Sequence, residues 1–238
     1  MGRRGVSRRP GEFNTSYLAR SDCLGLRHYI ELRYARAVLT QVIANVHRWE
    51  SADTTLKCHL NGYVVTTRVG LILIDPPRAE SIILKQIEAL GQPRAVLLSG
   101  RPNERRAKQY QDWYAAKVFA PEADRRRMRV EADHYFKPGE ALPGGFRSVG
   151  LRNQRTPGES VFFHEKGRLL AAGHLNGEPA GHVQMESPGL YRDFSRAFQE
   201  QLKLLELDFT ILLPGRGAPI LSDARKSVAT FIAGYSPD

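Results

Sequence analysis

Four short segments of this chain hold the side chains most able to do chemistry. The longest lies at 95–107 (AVLLSGRPNERRA), where a buried strand over 95–98 leads into a polar turn and then a helix. In α/β folds, loops that follow buried strands carry catalytic and binding residues. We therefore expect the segments 156–159, 172–174 and 214–217 to converge on this one.

His174 is the candidate general base in these segments, because an unperturbed histidine has a pKa near about 6.5. A single histidine at a strand end is also a common structural residue, and the sequence leaves both interpretations open. Ser99 follows a strand but is not flanked by a GxSxG motif, and the chain has no glycine-rich phosphate loop. A serine hydrolase and a P-loop nucleotide-binding protein are therefore not indicated.

The elements that would position these segments alternate between strands and helices. A hairpin is predicted over 63–74, and an amphipathic helix over 79–90 with Ile82, Ile83, Ile87 and Leu90 facing inward. The segment 29–46 has both helix-like spacing and a β-branched run, so its type stays open. Further helices are predicted over 104–116, 121–128, 190–205 and 222–233, a loop over 173–188, and strands over 117–120, 134–136, 146–151, 160–164, 169–172 and 209–213.

Consecutive hairpins in two places argue against a sheet made only of parallel βαβ units, because parallel strands need long crossover connections. The pattern instead predicts an α+β fold with four layers. Two mixed β-sheets would pack face to face, and helices would flank them on both outer sides.

The net charge of +10 is unevenly distributed along the chain. Residues 1–36 contain eight arginines against Glu12, Asp22 and Glu31, which is a net +5 in this segment alone. Because the segment begins with MGRRGVSRRPGEFN, which is polar, rich in arginine and without apolar periodicity, we expect a disordered basic tail ahead of a domain over 37–238. A solvated tail is the simpler interpretation, but contact of the tail or of residues 125–127 with nucleic acid stays open.

Cysteine content and hydropathy indicate the cellular compartment of the protein. Cys23 and Cys58 do not form a CxxC pair, so a disulfide framework or a cysteine-rich zinc site is not indicated. No run approaches the ~18 apolar residues of a membrane span. We expect a cytoplasmic protein with no membrane partner, and the sequence carries no signal for its oligomeric state.

Five motifs occur in a fixed order: NGYVV…LILIDPP (61–77), AVLLSGRPNERRA (95–107), RTPGESVFF (155–163), LLAAGHL (169–175) and ILLPGRGAPI (211–220). In this order they resemble the metallo-β-lactamase fold, in its glyoxalase II-like hydrolase branch. The resemblance implies a hydrolase in which histidines and aspartates hold one or two metal ions, usually zinc. It covers about residues 45–232 and places Asp75 beside the metal site.

The chain departs from the family at the metal-binding positions. In the motif THxHxDH, Ser99 stands at the threonine, Gly100 and Pro102 at the first two histidines, Glu104 at the aspartate and Arg105 at the third histidine. At the later positions, Arg155 and Arg216 replace histidines and His174 replaces the bridging aspartate. The resemblance therefore implies a degenerate metal motif.

These replacements argue against a zinc centre. Catalytic zinc needs about three ligands among neutral histidine, thiolate and carboxylate. Glycine and proline side chains have no ligand atoms, and arginine is not deprotonated in proteins. Only Glu104, His174 and Asp75 remain as donors, beside three guanidinium groups that would repel a dication. We therefore expect no metal and no other cofactor.

The leading hypothesis is a non-catalytic binding or accessory protein, in which Arg105, Arg155 and Arg216, with Asp75 and Glu159, hold a small anion such as phosphate or carboxylate. The same arginines are equally compatible with an ion-pair network to Glu104 and Glu159. A second hypothesis is a divergent hydrolase of thioesters or related esters that uses Glu104 and His174, with zinc if a metal is retained. A third is a nucleic-acid-associated protein that uses the basic tail.

Overall fold

Two β-sheets form the centre of the structure. The computed structural model describes residues 38–235, so the predicted tail over 1–36 and the first half of the undecided segment 29–46 lie outside the described residues. The first sheet has seven strands in the order β1 to β7, antiparallel from β1 to β4 and parallel from β4 to β7. Its strands are β1 (Thr40–Ile43), β2 (Val46–Asp53), β3 (Cys58–Thr67), β4 (Gly70–Ile74), β5 (Pro93–Leu97), β6 (Lys117–Pro121) and β7 (His134–Phe136).

The second sheet has six strands in the order β12-β11-β10-β9-β8, and β13 pairs in parallel with β11. All other pairs of neighbouring strands in this sheet are antiparallel. The strands are β8 (Ala141–Leu142), β9 (Phe146–Gly150), β10 (Ser160–His164), β11 (Leu169–Gly177), β12 (Val183–Met185) and β13 (Ile211–Gly217).

Within residues 38–235, four α-helices accompany the sheets: α1 (Ser81–Leu90), α2 (Ala107–Tyr114), α3 (Phe194–Gln199) and α4 (Ala224–Ala233). Short 3-10 turns occur at Arg101–Asn103, Glu122–Arg127, Pro143–Gly145, Pro179–Gly181, Pro188–Leu190 and Glu200–Glu206. No helix between residues 38 and 235 is both long enough and apolar enough to cross a membrane.

Three groups of buried apolar side chains define the layers. One lies between the sheets and contains Ile74, Phe162 and Leu213 from facing strands. A second packs α1 and α2 on the first sheet, and a third packs α3 and α4 on the second sheet. The predicted four-layer α+β sandwich is therefore confirmed.

The predicted hairpin over 63–74 is confirmed as β3 and β4, whereas several other boundaries differ. The loop predicted over 173–188 contains the end of β11 and all of β12. The single helix predicted over 190–205 is the short helix α3 followed by a 3-10 turn. Ile82 was predicted to face inward but is 48% exposed, because Ile83 and Ile87 are the residues of α1 that point at the sheet.

Candidate functional site

The strand ends of both sheets meet at one edge of the sandwich. The Asp75 N–H, directly after β4, donates to the carbonyl of Leu97 at the end of β5 (3.0 Å). The Ser160 N–H at the start of β10 donates to the Ser99 carbonyl (2.7 Å), which joins the two sheets. Because Ser160 directly follows the segment 156–159, the predicted convergence of that segment on 95–107 is found.

Asp75 lies at the centre of a buried polar cluster. The Ser99 N–H and the Ser99 hydroxyl donate to its two carboxylate oxygens (2.8 and 2.6 Å), and Asn103 Nδ2 donates to Ser99 Oγ (2.7 Å). Asp75 is 3% exposed. Burial raises the pKa of its carboxyl from 3.8 to about 6, against the opposing influence of the nearby Arg105 guanidinium. Both oxygens are thus already engaged.

Arg105 is bonded to protein carbonyls rather than to a carboxylate. Its Nη1 donates to the carbonyls of Asn61 (2.7 Å) and Asp75 (2.8 Å), and its Nη2 donates to Asn103 Oδ1 (3.1 Å). Burial lowers the pKa of this guanidinium. Arg105 and Asp75 both have left-handed backbones, with φ of 40° and 45°, and these bonds hold that uncommon conformation.

Glu104 is not a partner of Arg105. Its Oε1 accepts the backbone N–H groups of Arg129 (2.6 Å) and Val130 (2.5 Å), in the loop after β6. The ion pair predicted between the site arginines and Glu104 is therefore absent among the described residues. The carboxylate instead ties two neighbouring loops together.

Arg155, Arg216 and two glutamates form an alternating ion-pair network. Arg155 Nε donates to Glu159 Oε1 and Oε2 (3.0 and 3.2 Å), and its terminal nitrogens contact Glu159 and Glu186. Arg216 Nη2 lies 2.9 Å from Glu186 Oε1. The side chains of Glu159, Glu186 and Arg155 are 0%, 3% and 9% exposed, and that of Arg216 is 22% exposed. The predicted pairing with Glu159 is found.

His174 lies beneath this network and is 1% exposed. One ring nitrogen, Nε2, lies 2.9 Å from Gln201 Oε1, and Gln201 Nε2 donates to the Ala197 carbonyl (3.0 Å). Burial lowers the pKa of His174, so the ring is neutral near pH 7. In the described part of the chain no hydrogen bond joins His174 to Glu104.

Two residues that the sequence analysis missed hold the site together. Asp124 is 2% exposed and accepts from Thr156 Oγ1 (2.7 Å), the Gly158 N–H (3.0 Å) and the Arg101 N–H (2.8 Å). Its position within PEADRRR resembled the start of an ordinary surface helix. Glu186 follows β12, a strand that had been predicted as loop, so no pattern pointed to it.

The donor set decides which ligands the site accepts. Between residues 38 and 235, no group of three or more His, Cys, Asp or Glu side chains is placed to hold a metal ion. Gly100 and Pro102 contribute no ligand atoms. The arrangement offers guanidinium N–H groups and already-paired carboxylates, which suits hydrogen bonding to an anion better than coordination of a cation.

Comparisons with known proteins agree with this architecture. A family model described as the metallo-beta-lactamase superfamily matches residues 41–233. The DIM-1 metallo-beta-lactamase is similar at 15% identity with a TM-score of 0.62, covering 82% of this chain and 97% of its own. A metallo-beta-lactamase from Pontibacter korlensis is similar at 13% identity with a TM-score of 0.65, covering 84% and 100%.

A third solved structure, of a protein in a di-iron-bound form, is similar at 20% identity with a TM-score of 0.58 and covers 81% of this chain and 96% of its own. At these identities the likeness concerns the fold alone. A search of curated proteins gives no match.

Proposed function

This chain belongs to the metallo-β-lactamase superfamily, and we propose that it is a member without metal-dependent hydrolysis that acts as a binding or accessory protein. The observation that supports this most directly is the network Glu159–Arg155–Glu186–Arg216 at the edge where the strand ends meet. The degenerate motif and the glyoxalase II-like branch belong to the same proposal.

Zinc does not fit the residues present. The carboxylates of Glu159 and Glu186 are engaged with guanidinium groups, and both oxygens of Asp75 accept from Ser99. A dication would have to displace these partners and sit beside positive charges that cannot be neutralised by deprotonation. Removing a partner from a buried ion pair costs about 3–5 kcal/mol, which opposes that exchange.

Among the three site arginines, Arg216 is the one best placed to bind an anion. The charges of Arg105, Arg155 and Arg216 are largely balanced by Glu159, Glu186 and Asp75, so an anion must find a guanidinium with spare donors. Arg216 is the most exposed member of the network, with 22% of its side chain exposed, although its Nε is buried and has no hydrogen-bond partner among the described residues. A phosphate or carboxylate would therefore bind at the exposed end of the Arg216 guanidinium, in competition with Glu186.

Elemental analysis and activity assays on the purified full-length protein test the non-hydrolytic assignment. We expect zinc and iron well below one ion per chain, and no hydrolysis of an acyl thioester or a β-lactam above the buffer rate. One or two metal ions per chain, together with hydrolysis that a chelator abolishes, would overturn it.

Thermal unfolding with phosphate and sulfate tests the anion site. We expect both ions to raise the melting temperature of the unchanged protein, because a ligand that binds the native state stabilises it. The increase should be lost in Arg216→Gln and kept in Arg68→Gln, a matched change at an exposed turn. An equal shift in all three proteins, or none, contradicts binding at Arg216.

A further inference from the structure

Two loops at one edge of the first sheet are brought side by side by its topology. Strands β4, β5 and β6 run parallel, so the loops after β5 (98–106) and after β6 (122–133) leave the sheet at the same edge. Together they carry the arginine patch, defined here as Arg101, Arg106, Arg125, Arg126, Arg127 and Arg129. All six residues are exposed.

Two acidic side chains bind these loops together without neutralising the patch. Asp124 accepts the Arg101 backbone N–H (2.8 Å), and Glu104 accepts the Arg129 backbone N–H (2.6 Å). Each carboxylate thus accepts at least one main-chain amide of the opposite loop, and Asp124 also accepts from Thr156 and Gly158. These bonds fix the loops relative to one another, while the six arginines stay exposed and the Arg125 guanidinium lies 4.7 Å from the Tyr135 ring centroid.

None of the six guanidinium groups has an ion-pair partner within residues 38–235. Two exposed arginines elsewhere do have one, since Arg168 Nη2 lies 2.6 Å from Asp208 Oδ1 and Arg196 Nε lies 3.3 Å from Asp193 Oδ2. Other exposed arginines, such as Arg68 and Arg94, have none among the described residues, so the patch is distinguished by the clustering of its six arginines on two adjoining loops. The same two loops carry five carboxylates, at Glu104, Glu122, Asp124, Glu131 and Asp133. The six guanidinium groups of the patch still outnumber them, and an external polyanion would reduce the repulsion between these guanidinium groups.

The chemistry of the patch favours phosphate groups in a polymer. Guanidinium groups bind phosphate oxygens in a bidentate manner, and six of them exceed what one small anion can contact. A membrane surface fits less well, because large exposed apolar side chains, such as Trp113 and Leu190, lie outside the two loops. We propose that the arginine patch is a docking surface for the phosphate backbone of nucleic acid.

Binding of fluorescent single-stranded and duplex DNA and RNA to the full-length protein, measured over a range of salt concentrations, tests this surface. Arg126→Ala with Arg127→Ala removes two charges from the patch. Arg68→Ala with Arg94→Ala removes two exposed charges from the opposite edge, at the β3–β4 turn and the start of β5. Thermal unfolding checks that both variants are folded.

We expect the patch variant to bind about tenfold to a hundredfold more weakly near 0.1 M salt, with a slope of log affinity against log salt that is about two less negative for duplex DNA. The opposite-edge variant should bind as the unchanged protein does. Equal losses in both variants, no loss in either, or binding only to anionic lipid vesicles would overturn the proposal.

Discussion

Asp75 gives the fold a titrating group inside its core. Burial raises the pKa of its carboxyl to about 6, so the native state holds a proton that the unfolded chain releases near pH 4. The stabilising contribution of the protonated form is complete below about pH 4 and is lost as the pH rises through about 6. A neutral amide at this position has no such dependence.

Comparison with Asp75→Asn therefore isolates this contribution. As the pH falls from about 7 to about 4, the free energy of unfolding of the unchanged protein should increase relative to that of the variant, by up to about 3 kcal/mol. Urea unfolding at several pH values measures this difference. A difference that stays constant with pH would show that the carboxyl is not perturbed.

Glu186 is the carboxylate shared by Arg155 and Arg216. Its side chain is 3% exposed, and replacement by glutamine would leave Arg216 without its anionic partner and Arg155 with Glu159 alone in a largely buried site. We expect Glu186→Gln to lower the free energy of unfolding by about 3 kcal/mol, as measured by urea unfolding.

The matched control is Glu50→Gln, which removes the carboxylate from a more exposed pair with Arg48. Surface pairs contribute up to about 1 kcal/mol, so the control should lose less than that. If Glu186→Gln were no worse than the control, the buried network would not be a determinant of stability.

At the scale of the element, β11 passes unusually close to the turn after β5. A Cβ at Gly173 would overlap Asn103 Nδ2 and Asp75 Oδ2 and would lie 2.5 Å from Ser99 Oγ. Gly173→Ala should therefore lower the free energy of unfolding by about 1–3 kcal/mol through overpacking. This corresponds to a melting temperature lower by several degrees, at about 2–4 °C per kcal/mol for a domain of this size.

Gly189→Ala is the control for Gly173→Ala, because a Cβ at Gly189 would have no neighbour within 4 Å. Its melting temperature should change by less than about 2 °C. A stable Gly173→Ala variant would mean that the strand can move away from the Asp75 cluster, and that the close approach does not fix the site.

The elements differ in how far the sequence could predict them. The two β-rich runs on either side of the turn at Arg68 and Val69 predicted the β3–β4 hairpin, because local sequence and turn chemistry determine it. The end of β11 was predicted as loop, since its glycines are polar-loop signals in isolation and are required here by packing. The pairing of Arg155 with Glu186 joins residues 31 apart in sequence, and local patterns carry no information about such contacts.

On the scale of the whole molecule, charge is distributed in two different ways. At the edge where the strand ends meet, arginines are matched by buried carboxylates and carbonyls. On the neighbouring loops, the arginine patch is exposed and unmatched in the described part of the chain. The first arrangement stabilises the interior of the fold, and the second leaves net positive charge for an external partner.

The folded domain is expected to begin at residue 37, after the basic segment 1–36. The family model begins at residue 41, and the first strand of the described residues begins at Thr40. A variant that begins at residue 37 should therefore unfold cooperatively, with a melting temperature within about 3 °C of that of the full chain, as measured by circular dichroism. Loss of the cooperative transition would mean that residues 1–36 are part of the folded domain. If the variant is folded, the nucleic-acid affinity that remains measures the arginine patch without the +5 of the leading segment.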